Sequence, residues 1–211
     1  MARWFMLGCS GLLLFLGLAG WAAYSFLIRP AQTLVNDFRQ IITLDNTVER
    51  QTAYTPPANA LLSRDQVQRF LVVQRSVKEQ LGERYQRIEA RLNQLANQQV
   101  GQLTLDYRTA LDLFRDSSSL MLDAKGIQVQ ALNLQNFSPQ EYAWVRSQVY
   151  AALGFGVPSL NPQEILRQIG GGNFNPRVDM IKPTAPPENV RLVEPFRAEL
   201  VSYYPFTWFG L

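Results

Sequence analysis

The stretch LLSRDQVQRFLVVQRSVKEQLGERYQRIEARLNQLANQ, from Leu61 to Gln98, decides the fold class. Ser63 followed three residues later by Gln66 has the pattern of a capping box, which marks a helix N-terminus. Apolar residues then recur at three- and four-residue spacing, as on the buried face of an amphipathic helix. The stretch therefore predicts one long helix ending near Gln98. Its predicted buried seam is Val67, Phe70, Gln74, Val77, Leu81, Tyr85, Ile88, Leu92 and Leu95.

Helical spacing of apolar residues continues on both sides of this stretch. Residues 31–50 and 104–132 carry it, and a last helix is predicted from near Glu188 with a disturbance at Pro195. No alternating pattern of a strand competes, so the soluble part is predicted to be all-α. The inward side chains predicted for 104–132 are Tyr107, Leu111, Phe114, Met121 and Leu132.

A second helix-start signal stands in FSPQEY, residues 137–142. Ser138 is positioned as the N-cap and Glu141 is expected to close a capping box, with Phe137 and Tyr142 as a hydrophobic staple. The helix is predicted to run to Leu153 and to bury Tyr142, Val145, Val149 and Ala152. A third signal, LNPQEI, predicts a short helix over 161–169.

The N-terminal segment predicts a membrane anchor over residues 4–28. The run from Trp4 to Ile28 is 25 residues without a charge. As a helix it would extend about 37 Å, more than the roughly 30 Å of a bilayer's hydrocarbon core. Trp4, Trp21 and Tyr24 stand near its ends, where aromatic rings favour the headgroup region.

Two other interpretations of this segment are weaker. A cleaved signal peptide would use the small residues around Trp21, but the apolar run continues beyond them and exceeds the usual 7–15 residues. A lipoprotein signal centred on Cys9 would need its apolar run before the cysteine, whereas almost all of it follows. We therefore expect a retained anchor in which Cys9 is an apolar helix residue.

The membrane orientation is only weakly indicated by the charges. Arg3 precedes the span, and Arg29 and Arg39 follow it, which is close to a tie under the positive-inside rule. A single N-terminal span usually leaves the N-terminus inside and exports the rest. The expected location is therefore the inner (cytoplasmic) membrane, single-pass, with a periplasmic or otherwise extracytoplasmic soluble domain.

The remainder of the chain is expected to form one domain in two parts. Residues 30–155 are predicted to be a helical bundle with long amphipathic helices. Residues 156–211 are predicted to hold short helices, a Gly/Pro-rich linker and an aromatic tail that packs on the bundle. The glycine-rich GGGNFNPR from Gly170 follows a helix and lacks a Lys-Ser/Thr pair, so a loop is predicted here and not a phosphate-binding site.

Composition makes several chemistries unlikely. The chain has no histidine and its single cysteine lies in the predicted anchor, so the commonest general base and the commonest metal ligands are missing from the soluble part. The net charge of +3 comes without a long basic run, which argues against nucleic acid as a partner. We expect no metal and no cofactor.

Two residue groups remain formal candidates for chemistry. Asp112 and Asp116 are spaced to share a helix face, yet surface acids beside arginine are commoner than metal ligands. A serine from 117–119 could pair with Lys125, but no oxyanion-hole motif accompanies them. Neither group is predicted to be catalytic.

Two surfaces are candidates for contacts with partners. Arg84, Arg87 and Arg91 lie on one face of the long helix and could bind an anion, although a solvated face balanced by Glu83 and Glu89 is the favoured interpretation.

The second candidate is the aromatic tail, which carries five aromatics within seven residues. Such a cluster is expected to be buried, against the helical body, the membrane interface or a partner protein. Pro205 predicts an extended or turn conformation, and not a helix, for the last six residues. The cluster is Tyr203, Tyr204, Phe206, Trp208 and Phe209.

The order of these features resembles a loosely defined set of uncharacterised bacterial envelope proteins with one N-terminal span and a helical body. The resemblance covers residues 10–153 and is carried by RPAQ, TPPA, LSRDQVQRFLVVQ and FSPQEYAWVRSQVYAALG. That set has no assigned activity, so the resemblance implies a compartment and an architecture but no site residue.

Three functions are compatible with the sequence. The leading hypothesis is a membrane-anchored, non-catalytic accessory or scaffold protein of the cell envelope, with a protein partner. The alternative is a ligand-sensing or lipid-binding helical domain with an apolar pocket between helices, joined by one or two arginines. A third, an enzyme using only carboxylates, Tyr, Ser or Arg, would need two acidic groups converging in a cleft.

Overall fold

The computed structural model describes residues 43–86, 118–159 and 184–211 continuously, and residues 21, 36, 39–41, 90, 167–168, 171 and 179–181 in addition. The chain divides into two compact units, Met1–Arg39 and Gln40–Leu211. The predicted helix over 161–169 lies outside the described residues except at 167–168, which are helical.

In the first unit, Trp21, Asn36 and Arg39 are described, and each is exposed in helical backbone. The predicted anchor at 4–28 otherwise lies outside the described residues. Within the part of the chain that is described, no helix combines the length and apolar character that crossing a membrane requires.

The second unit is mostly helical, which confirms the predicted helical class. Its described helices are α1 (Arg64–Leu81), α2 (Ser118–Leu134), α3 (Pro139–Ala152), α4 (Pro187–Val193) and α5 (Arg197–Tyr203). Helix α1 packs against both α2 and α3, and α4 packs on α3. Ahead of α1, helical backbone at 39–41 and 43–45 accounts for part of the predicted 31–50 helix.

Helix α1 begins as the sequence predicts. The Ser63 hydroxyl accepts the Gln66 main-chain N–H at 3.0 Å, and the Gln66 side chain accepts the Ser63 N–H at 3.1 Å. The predicted seam is buried as far as Tyr85. Since an N-cap and a periodic apolar face act over three to four residues, both could be read locally.

The predicted continuous helix to Gln98 is wrong at Gly82. Helix α1 ends at Leu81, and Gly82 has a φ of 51° with its N–H donating to the Lys78 carbonyl at 3.1 Å. Glycine adopts this backbone conformation without the steric cost that a side chain brings, so the helix can end here. Residues 83–86 are helical again, which returns Tyr85 to the interior.

Helices α2 and α3 bury the faces expected of them where they are described. Met121 and Leu132 of α2 are buried, whereas Tyr107, Leu111 and Phe114 lie outside the described residues. All four side chains predicted to be buried on α3 are buried. The Phe137 and Tyr142 rings meet edge to face at 5.7 Å, which confirms the predicted staple.

A small antiparallel ribbon was not predicted. Strand β1 (Val157–Ser159) pairs with β2 (Asp179–Ile181), with Val157 opposite Ile181 and Ser159 opposite Asp179. Strands of three residues are too short to show an alternating pattern, and their pairing joins segments distant in sequence. The all-α prediction therefore needs this one correction among the described residues.

The C-terminal part is a chain of short helices. Helix α4 gives way to a 3₁₀ turn at Glu194–Phe196, which contains Pro195, before α5 begins. The predicted helix with a disturbance at Pro195 is confirmed. The expectation of an extended or turn segment, and not a helix, for the last six residues is wrong, because Tyr204–Phe209 forms a second 3₁₀ helix. Pro205 lies in its first turn, where a proline's missing N–H is not needed.

Candidate partner-binding cleft

Of the predicted arginine stripe, only Arg84 falls among the described residues. Its Nη1 lies 2.6 Å from Asp123 Oδ2 of α2, with both side chains about half exposed, at 46% and 51%. Arg87 and Arg91 lie outside the described residues. At Arg84 the stripe therefore forms a surface ion pair between helices.

Three members of the predicted aromatic cluster lie in the interior. Tyr203, Tyr204 and Phe206 are each no more than 3% exposed. The Phe206 ring stacks on Tyr85 at a centroid distance of 4.5 Å, and the Tyr204 hydroxyl donates to the Gly156 carbonyl at 2.7 Å. These side chains pack on the helical body and are not available at its surface. The side chains of Trp208 and Phe209 lie outside what the structure describes.

A buried polar chain holds the end of this tail. Lys125 Nζ lies 2.7 Å from Asp45 Oδ1 and donates to Gln128 Oε1 at 2.8 Å. The Gln128 amide in turn donates to the Gly210 carbonyl at 3.0 Å. Burial lowers the pKa of Lys125, since an ammonium loses hydration, while the nearby Asp45 opposes that effect.

This arrangement changes the interpretation of two formal candidates. Lys125 serves as a structural cation between Asp45 and Gln128, whereas the hydroxyls of 117–119 lie outside the described side chains. Asp112 and Asp116 also lie outside the described residues. Within the described ranges, no group of three or more His, Cys, Asp or Glu residues could hold a metal ion.

A surface cleft that the sequence analysis did not single out lies between the start of α1 and the C-terminal helices. We call it the Arg64 cleft. Its volume is about 450 Å³, within the range of about 300–1,000 Å³ of known binding clefts. Its lining residues are Arg64, Val67, Gln68, Arg191, Leu192, Pro195 and Phe196.

The two walls of the Arg64 cleft are joined by a buried asparagine. Asn189 of α4 is 1% exposed. Its Oδ1 accepts the Leu62 N–H at 2.9 Å, and its Nδ2 donates to the Ala60 carbonyl at 2.9 Å. Because Ala60 and Leu62 lead directly into α1, this side chain sets where α4 stands relative to the first turn of α1.

An ion-pair network on the other side of α1 orients its first two turns. The Glu141 carboxylate, with its side chain 5% exposed, lies 2.8 Å from Arg50 Nη1 and 2.8 Å from Arg69 Nη2. The Gln66 amide also donates to it at 3.3 Å. Arg69 and Gln66 belong to α1, so the network and Asn189 together position the cleft's α1 wall.

Glu141 departs from its predicted role. Ser138 accepts the Glu141 N–H at 3.1 Å as expected of an N-cap, but the Glu141 carboxylate is bound to Arg50, Arg69 and Gln66. Hydrogen bonds between a carboxylate and a guanidinium are stronger than one to a neutral main-chain N–H. The distant arginines therefore decide the orientation of this side chain.

The Arg64 cleft combines an apolar floor with a cationic rim. Val67 is buried and Leu192 and Phe196 are partly exposed, whereas Arg64, Gln68, Arg191 and Pro195 are exposed. A guanidinium next to apolar surface can hold a carboxylate while the apolar part of the same partner leaves water. The one local signal for this site was Arg64 itself, a cation at a helix N-terminus, where anions are favoured.

Comparisons with protein-family models, curated proteins and solved structures found no significant match.

Proposed function

We propose that the protein is a membrane-anchored, non-catalytic accessory protein of the cell envelope that binds a partner protein through the Arg64 cleft. The proposed anchor is residues 4–28, supported by their 25-residue run without a charge. The inner membrane, with unit Gln40–Leu211 on the extracytoplasmic side, is the proposed location.

The observation that carries this proposal is the chemistry of the Arg64 cleft. Arginine and aromatic side chains are the types that contribute most at protein–protein contacts, and the cleft presents Arg64, Arg191 and Phe196 around the buried Val67. Asn189 and the Glu141 network hold its walls before any partner binds, which lowers the entropic cost of association.

The alternative function, binding of a lipid or another apolar ligand, draws support from the same apolar floor and arginines. Four of the seven lining residues are exposed, however. Small-molecule sites usually bury 70–90% of their ligand, and an open cleft of this kind leaves much of one side in water. A protein segment covers such a cleft with its own main chain, so a protein partner is favoured.

Site-specific photo-crosslinking in native membranes tests the partner site. A benzophenone amino acid replaces Gln68, an exposed cleft residue, in the full-length chain, and Gln80 provides the control, since it is exposed on α1 outside the cleft. We expect a protein adduct from position 68 that Arg64→Glu abolishes and that position 80 does not give. Failure to form an adduct at 68, or equal adducts at both positions, would refute the proposed site.

Carbonate extraction and intact-mass measurement test the anchor in the same membranes. We expect the chain to remain with the membrane and to retain residues 4–28. A mature protein beginning near Ala23 would show that the segment is a cleaved signal.

A further inference from the structure

We infer that the Arg64 cleft recognises an acidic segment of the partner protein, in which an apolar side chain enters the cleft and a neighbouring carboxylate pairs with Arg64. This inference rests on the proposed function that the cleft is the partner site, and it specifies the chemistry of the partner.

Arg64 differs from the other surface arginines of the helical body. It is exposed, and it has no carboxylate within ion-pair distance among the described residues. The other exposed or partly exposed arginines of the continuously described stretches 43–86, 118–159 and 184–211 have an acidic partner. These are Arg50, Arg69, Arg75, Arg84, Arg191 and Arg197.

The position of Arg64 adds a second argument. It is the first residue of α1, an 18-residue helix. The unpaired N–H groups at a helix N-terminus carry a partial positive charge, so a cation there costs stability and an anion gains it. A carboxylate bound beside Arg64 would interact favourably with both the guanidinium and this end of the helix.

Arg191 supplies a second cation that a partner can recruit. Its ion pair with Glu188 is long, at 3.3 Å, and the two side chains are 76% and 56% exposed. Pairs of this kind contribute little to stability because water screens them. Exchanging Glu188 for a carboxylate of the partner therefore costs little free energy. The cleft can then bind two acidic groups that flank an apolar one.

The apolar floor defines the middle of the recognised segment. Val67, 1% exposed, forms the base, and Leu192, Pro195 and Phe196 form the opposite wall. A volume of about 450 Å³ suits a short segment and not a whole helix face. Arg64 and Arg191 at the cleft oppose pairing of this face with the same face of a second copy and favour an acidic partner.

The probe is a phage-displayed library of random 12-residue peptides, selected on the full-length chain in detergent micelles. We expect enrichment of Asp or Glu within about one helical turn of Leu, Ile, Phe or Trp. Synthetic copies of enriched peptides should bind Arg64→Glu at least about tenfold more weakly, as expected when one charge-assisted pair is lost.

Two variants serve as matched controls. Arg84→Glu makes the same charge change at an ion pair outside the cleft and should alter affinity less than about twofold. Arg64→Lys keeps the charge but loses the bidentate geometry, so its affinity should fall between wild type and Arg64→Glu. Affinity should also weaken as salt rises.

The two levels of the proposal fail in different ways. Enrichment of neutral or basic peptides, or equal binding to Arg64→Glu, would refute the acidic segment while the Gln68 adduct still supports a partner site. An adduct at 68 with lipid or with a second copy of this chain would refute both the acidic segment and the partner protein.

Discussion

Replacing Asn189 by alanine tests the argument that a single buried side chain holds the two walls of the Arg64 cleft together. The substitution removes both hydrogen bonds and leaves the Leu62 N–H in a buried position without its partner. A buried donor without a partner costs about 1–3 kcal/mol. The Ala60 carbonyl is partly buried and adds about 0.5–1 kcal/mol, since water can replace part of the lost bond.

The expected loss in the free energy of unfolding is therefore about 1.5–4 kcal/mol. For a chain of this size, that corresponds to a fall in Tm of roughly 3–16 °C. The assay is urea unfolding of the full-length chain in detergent micelles, followed by circular dichroism at the helical minimum. Asn46→Ala is the control, because Asn46 is exposed and makes no side-chain hydrogen bond in the described part of the chain.

Asn189→Asp adds a sharper comparison. Aspartate can still accept the Leu62 N–H but cannot donate to the Ala60 carbonyl, and it buries a charge. We expect it to destabilise at least as much as Asn189→Ala. A loss below about 0.5 kcal/mol for Asn189→Ala, equal to that of Asn46→Ala, would refute the role given to this residue.

Four other changes test contacts within the helical body, each by urea unfolding. Glu141→Gln should cost about 2–3 kcal/mol, because two guanidinium partners lose a buried carboxylate; a cost near zero would contradict the network. Ser63→Ala should cost about 1 kcal/mol through its lost N-cap, and an unchanged midpoint would place the helix start elsewhere. Phe206→Ala should cost about 3–5 kcal/mol, whereas a surface-exposed tail would tolerate it. The Arg75 hydrogen bond lowers the pKa of Glu199 below its usual 4.5, so its contribution is fully present above that pH and is lost as the pH falls through the lowered pKa. We therefore expect Glu199→Gln to flatten the acid limb of a stability–pH curve, and an unaltered limb would disprove this linkage.

Local sequence signals predicted where helices of the body begin and which of their faces are buried. The capping box at Ser63, the N-cap at Ser138 and the buried faces of α1 and α3 were all predicted, since each depends on residues three or four positions apart. The helical spacing of apolar residues also continues through Gly82, and from it a continuous helix was wrongly predicted. Periodicity records which side chains are apolar and not whether the backbone between them stays helical, so Tyr85 is buried although the helix is broken before it.

The Arg64 cleft could not be predicted in the same way. Its walls come from residues 64–68 and 191–196, and Leu62 and Asn189, which join them, are 127 residues apart in sequence. Nothing in either segment specifies the other, because the hydrogen bond between them depends on how α4 packs. Arg64 at a helix N-terminus could have indicated an anion-binding position. It gave no information about which distant residues form the apolar floor.

The sequence by itself determined a helical fold class, the start of α1, the residues of its buried seam as far as Tyr85 and the scarcity of groups for metal or histidine chemistry. Only the tertiary structure decided that Glu141 binds Arg50 and Arg69, that Tyr204 and Phe206 lie in the core, and that an apolar floor meets Arg64 at the surface. The physical reason is the separation in sequence over which each kind of interaction acts. Helix signals act within one or two turns, whereas charge pairing and burial depend on which distant segments the packing brings into contact.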